Sequence, residues 1–138
     1  MNNFISGVAT HGETLAVDAG KVAGDPVQTG YLNGVCFNDR DTDGNAVVDT
    51  QSGNIYDVKV RNVKTYSGGA EETYGAITIG DKIYYDGSST MPSGYFLSTS
   101  PEDEGEAATK QWGVAMEDMD TATAASSTIR VKMCNPAI

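Results

Sequence analysis

Positive charge is scarce in this 138-residue chain: nine lysines and arginines face nineteen aspartates and glutamates, a net charge of −10. A surface of that sign repels phosphate, which argues against a nucleic-acid partner and against an anionic membrane. Histidine occurs once, at His11, and cysteine twice, at Cys36 and Cys134. One histidine without companions makes no zinc site, and two cysteines make no disulfide framework. Both thiols lie in apolar stretches and are expected as small buried side chains. There is no apolar run near the roughly 20 residues that span a bilayer. Nor is there a phosphate-binding glycine loop, a dinucleotide fingerprint or a nucleophile elbow. The opening residues, MNNFISGVATHGE, have no basic stretch and no continuous apolar one, so no secretory signal is expected and synthesis in a cytoplasm is. With no motif for paired-carboxylate chemistry either, no enzyme, no catalytic residue and no cofactor site is expected.

What is present points to strands. Apolar residues make up 39% of the chain and charged ones 20%, enough apolar content to rule out disorder by composition, and the length suits one domain. Sixteen glycines separate short alternating runs. In IYDVKVRNV, Tyr56, Val58 and Val60 share one face, and Asp57, Lys59 and Arg61 share the other. In TIRVKMC, Ile129, Val131 and Met133 oppose Thr128, Arg130 and Lys132. A period of two with opposite chemistry on its faces means a sheet with one buried side. Further strands are expected around Leu15 to Val17, within 31–37 with a break at Asn33-Gly34, over 46–51, and within 76–86, 94–98 and 111–116. Residues 22–27 read as a bend or edge strand. The stretches 65–75 and 100–110 read as loops, the second acidic with room for one helical turn. Residues 118–127 read as a loop or short helix. The aromatic residues Tyr84, Tyr85, Tyr95, Phe96 and Trp112 fall at strand spacing and are expected in the core rather than in a sugar-binding platform. The fold class is all-β: one small β-barrel, or β-tulip-like, domain over 11–138, with an extended N-terminal arm over 1–10 and long acidic loops.

Two features invite a functional reading. The run FNDRDTDGNAVVDT places Asp39, Asp41, Asp43 and Gly44 in the order of the first half of a calcium loop. The second half is missing: Thr50 stands where a bidentate glutamate belongs, Asp49 lies one place early, and the flanks read as strands instead of helices. The preferred reading is a hairpin turn, with calcium as the minor alternative. The arm, MNNFISGVAT, is uncharged yet carries Phe4, Ile5 and Val8. Too short to build a core, it suits strand addition to a partner through Asn3, Phe4, Ile5 and Val8, against the alternative of a frayed end.

The order of motifs resembles the tailed-phage capsid cement, or head-decoration, proteins. A Gly-Glu-Thr-Leu strand (Gly12 to Leu15) precedes a Gly-Asp-Pro-Val step (Gly24 to Val27) and a Gly-Val strand (Gly34, Val35). A Gly-Asp-x-x-Tyr-Tyr-Asp step follows (Gly80, Asp81, Tyr84, Tyr85, Asp86), then Gly-Val-Ala (Gly113 to Ala115) and Thr-Ile-Arg-Val-Lys (Thr128 to Lys132). The resemblance runs from about Gly12 to Met133. The acidic run is longer than the short turn at that place in the family. The resemblance implies a small barrel on the outer surface of the virion, bound to the major capsid protein, assembled as a homo-oligomer with a trimer favoured, and without catalytic residues. The alternative class is a calcium-binding β module of a tail or adhesin that binds carbohydrate.

Overall fold

The computed structural model describes residues 4–6, 12–67, 70–86, 95–101, 110–120 and 126–135. Strands form its framework, and the fold is all-β. The central strand is β6 (Ile55–Arg61), which pairs along its length with β12 (Ser126–Met133), from Ile55↔Lys132 to Arg61↔Ser126. The sheet continues through β11 (Gln111–Ala115), β9 (Lys82–Tyr85) and β10 (Leu97–Ser98). β10 then returns to β6 in parallel, at Leu97↔Val60 and Ser98↔Arg61, and closes a five-stranded barrel. Closure leaves few sheet edges for unwanted pairing.

The alternation read in the sequence sets the barrel wall. Tyr56, Val58 and Val60 of β6, with Ile129, Val131 and Met133 of β12, are buried in one cluster. Each such side chain contributes on the order of 1.5–3 kcal/mol by leaving water. The opposite faces of the same strands carry the exposed Lys59, Thr128, Arg130 and Lys132.

Outside the barrel lies an antiparallel sheet in the order β2 (Gly12–Ala16), β5 (Asn45–Asp49), β4 (Leu32–Cys36), β3 (Pro26–Thr29). It has a small core of its own in Val27, Cys36, Ala46 and Val48, whereas Val35 belongs to the barrel cluster. The expected break at Asn33-Gly34 is absent, and both residues lie inside β4. Gly34 stays in the strand because a Cβ there would meet Val48 and sit 2.8 Å from the Asp49 carbonyl oxygen. Only glycine admits that approach.

Asn33 is the joint between sheet and barrel. Its amide donates to the carbonyls of Cys134 (2.8 Å), Gln111 (2.9 Å) and Trp112 (3.4 Å), while its Oδ1 accepts from Gln28 Nε2 (2.9 Å). Asn135 reciprocates: its Oδ1 accepts from the Asn33 N–H (2.6 Å), and its Nδ2 donates to the Asn33 carbonyl (3.0 Å) and the Thr50 carbonyl (2.7 Å). Trp112, fully buried, donates Nε1 to the Val27 carbonyl at 3.2 Å across the same seam.

The stretch 65–75, expected as a loop, is a two-stranded ribbon, β7 (Val63–Ser67) and β8 (Ala70–Tyr74). Its sequence shows no apolar alternation because most of its described side chains stay in water. Cross-strand pairs such as Thr65 and Thr73, whose hydroxyls lie 2.6 Å apart, replace a buried face. Of 76–86 only 82–85 is a strand; the rest turns through Gly80. The acidic stretch lies outside the described residues at 102–109, as do 121–125 of the stretch 118–127. The strand β1 (Phe4–Ser6) pairs with β6 at Phe4↔Tyr56 and Ser6↔Ile55.

Replacing Asn33 by Leu strands several carbonyls in a seam that is 1% exposed at this residue. We expect a loss of about 2–4 kcal/mol in urea unfolding. A loss under about 0.5 kcal/mol contradicts the assignment of Asn33 as the joint.

Candidate functional site

The acidic run forms the connection from β4 to β5, and two of its carboxylates, those of Asp39 and Asp41, bond the backbone. Asp41 Oδ1 accepts from the N–H groups of Asp43 and Asn45, both at 2.9 Å, and the Asp41 carbonyl accepts from Gly44 N–H at 3.1 Å. This is a side chain copying a backbone turn. Gly44 has φ 87°, in the left-handed region that glycine enters without strain. Asp39 Oδ1 accepts from Ala23 N–H at 3.0 Å, and Asn38 Oδ1 from Val47 N–H at 2.9 Å. Arg40 donates Nε to the Val17 carbonyl and its backbone N–H to the Lys21 carbonyl, both at 3.0 Å. The Asp43 carboxylate bonds none of the described residues. Among the described residues, no group of three or more acidic, histidine or cysteine side chains is gathered tightly enough to hold a metal ion. Asp41 builds the turn and Asp39 ties it to the loop 17–25, whereas Asp43 contributes its backbone N–H. His11, Asn3 and Val8 lie outside the described residues, and Phe4 and Ile5 stand in β1.

Beneath that turn lies a lysine that the sequence did not single out. Lys21 is 2% exposed. Its Nζ donates to the Pro26 carbonyl at 2.8 Å and sits 3.1 Å from the Phe96 ring centroid and 4.9 Å from that of Tyr85. Burial lowers its pKa to about 8, opposed by the negative charges of Asp25 and Asp18. Burial also pushes the Asp25 carboxyl up, and it lifts the Cys36 thiol to about 11. Cys36 is buried and Cys134 half-buried, and both are free. A lysine between Gly20 and Val22 looks like any surface lysine in sequence. Only packing by Phe96, far along the chain, buries it.

Two further polar clusters fix the surface. Asp49, fully buried, accepts from Gln51 N–H (3.0 Å), Asn54 Nδ2 (2.7 Å) and the Tyr56 hydroxyl. Burial and the Asp49 charge push the Tyr56 phenol well above its usual range. Arg61 grips Glu71 with Nε at 3.0 Å and Nη2 at 2.5 Å, tying the ribbon to the barrel. That guanidinium draws the Glu71 carboxyl below the usual range. Tyr95 lies beside this clamp, its ring centroid 5.8 Å from Arg61 Cζ and 5.6 Å from Lys59 Nζ. Tyr85 and Trp112 are core residues, and Tyr84, Tyr95 and Phe96 are half-buried, so the aromatics do not form one exposed platform.

These elements brace the surface of the molecule. The sequence model of the phage cement protein family matches residues 6–133, and the chain belongs to that family. It is a family of structural proteins, not of enzymes, and membership associates the chain with the virion. No curated protein and no solved structure gives a significant match.

The turn reading predicts that Asp41→Ala, by stranding two N–H groups, lowers stability by about 1–2 kcal/mol, equally in calcium and in EDTA. A penalty found only in calcium returns Asp41 to a metal site. Lys21 predicts a pH dependence. Its folded pKa of about 8 lies below the ordinary 10.5, so the unfolded chain binds more protons and stability rises as pH climbs from about 8 towards 10.5. Cys36 opposes this above pH 9, because its raised pKa costs stability there. Comparison with Lys21→Met isolates the lysine: between pH 7 and pH 10 the wild type should gain about 2 kcal/mol relative to the variant. Parallel stability curves for the two proteins rule this out.

Proposed function

We propose that this chain binds the outer surface of a phage capsid, through the major capsid protein, and stabilises the mature head. The observation that carries the reading is the family match from residue 6 to residue 133, which takes in every strand from β2 to β12. The physics is multivalent. Each copy of a homo-oligomer, read as a trimer, supplies a modest interface, and simultaneous engagement of several shell subunits multiplies the affinity. Preference for the assembled, expanded lattice stabilises it by mass action. The exposed acidic turn at 39–43 faces solvent in this reading, and its charge keeps coated particles apart.

The N-terminal arm is the proposed capsid contact, through Asn3, Phe4, Ile5 and Val8. Supporting this, β1 lies at the end of its sheet, paired on one side with β6, and among the described residues no strand takes its other side. A capsid strand added there would extend the sheet through main-chain hydrogen bonds.

The test is co-sedimentation of the purified protein with expanded, undecorated heads, in calcium and in EDTA. We expect saturable binding that ignores EDTA, and a dissociation constant raised roughly tenfold or more when residues 1–10 are deleted. No binding by a folded protein overturns the capsid reading. Unchanged binding after the deletion overturns the role of the arm.

A further inference from the structure

Next to the hairpin that joins β3 to β4, the surface holds a knob and a hole. The knob is Tyr31, 67% exposed, the most exposed large apolar side chain among the described residues. The hole is a cleft of about 300 Å³, lined by Ala16, Val17, Val27 and Gly30 and by the polar residues Asp18, Gln28, Thr29 and Tyr85. Gly30 precedes Tyr31 in the turn, yet the tyrosine leaves its own cleft empty and stands in water.

The cleft has the chemistry of a phenol site. Ala16, Val17 and Val27 offer an apolar side to a ring, and the polar residues offer partners to its hydroxyl. The Asp18 carboxylate uses Oδ2 to accept from the Tyr85 hydroxyl at 3.2 Å, and its Oδ1 takes no bond from a described residue. A tyrosine entering from outside would bury its ring on Val17 and Val27 and donate its hydroxyl to Asp18. Tyrosines that fill pockets in this way dominate the binding energy of many interfaces. The scaffold is firm: Gln28 and Asn33 are bonded to each other at 2.9 Å, and the Thr29 hydroxyl donates to the Ala16 carbonyl at 2.9 Å.

We infer that this face is a contact between copies of the chain, in which Tyr31 of one copy fills the Ala16–Asp18–Tyr85 cleft of the next. The occupant is a second copy because the chain itself displays, on one surface, both the unburied phenol and the site shaped for it. The contact deepens the homo-oligomer of the proposed function and rests on that part of it alone. Knob into hole leaves no group unfilled either when two copies fill each other's clefts about a two-fold axis or when a head-to-tail ring closes.

Sedimentation velocity without heads tests this, so its outcome is independent of capsid binding. Wild type is expected to assemble. Tyr31→Ala removes the knob and Ala16→Trp blocks the hole; both positions are exposed, and circular dichroism will confirm that each variant folds. Each variant alone should lose assembly, with the dissociation constant raised roughly tenfold or more. Mixed, they should associate again, because the blocked variant keeps its tyrosine and the knobless one keeps its cleft. A monomeric wild type overturns the inference. So does assembly that survives Tyr31→Ala, or a mixture that stays monomeric. Heads that bind none of the proteins, with this pattern intact, overturn the capsid reading and leave the contact standing.

Discussion

The exchange of hydrogen bonds between Asn33 and Asn135 is the constraint on which the surface depends. The Asn33 amide reaches from the outer sheet to carbonyls of the barrel, and the Asn135 amide reaches back from the end of β12 to the carbonyls of Asn33 and Thr50. Buried amides so nearly saturated fix geometry more strictly than apolar contact does, since any slip leaves polar groups unpaired. The outer sheet is thereby held in one position on the barrel. The acidic turn and the cleft beside Tyr85 inherit that rigidity, the turn through Arg40 and Val17 and the cleft through Asp18.

A second rigid joint sets the ribbon. Alone, a two-stranded hairpin is marginal in water. Here the Arg61–Glu71 fork holds it near its tip, and at its base Thr99 Oγ1 donates to the Val63 carbonyl at 2.6 Å and Ser100 Oγ to the Lys64 carbonyl at 3.0 Å. Both ends of the fork are largely shielded, at 13% and 17% side-chain exposure, which lets the pair matter more than the open Arg130–Asp57 contact at 3.9 Å. The result is a closed barrel whose attachments are held in fixed positions.

The sequence made the barrel wall legible because alternation is the direct imprint of a half-buried strand, and β6 and β12 are its clearest cases. The acidic run was legible as a turn for the same local reason: Asp41 and Gly44 need nothing beyond their neighbours. What failed to show were features made by distant partners. Asn33-Gly34 looked like a break because the carbonyls that hold Asn33 lie 78 to 101 residues away. The stretch 65–75 looked like a loop because strands whose described side chains are mostly exposed or half-buried show no apolar period. Lys21 looked exposed because its aromatic cover arrives from Phe96. Tyr31 carried no signal at all, since a pocket is defined by surfaces and not by spacing.

The pairing of β6 with β12 has a consequence for how the molecule comes into being. The central strand of the barrel stays without that neighbour until synthesis has reached the last described strand, and the Asn33–Asn135 joint closes a separation of 102 residues. Folds dominated by such distant pairings form in roughly milliseconds to seconds, slowly for domains of this size. Until β12 emerges, the nascent chain therefore displays Tyr56, Val58 and Val60 on a strand that lacks its longest partner. Its acidity has a use at that stage as well, since like-charged nascent chains repel one another before any of them can fold.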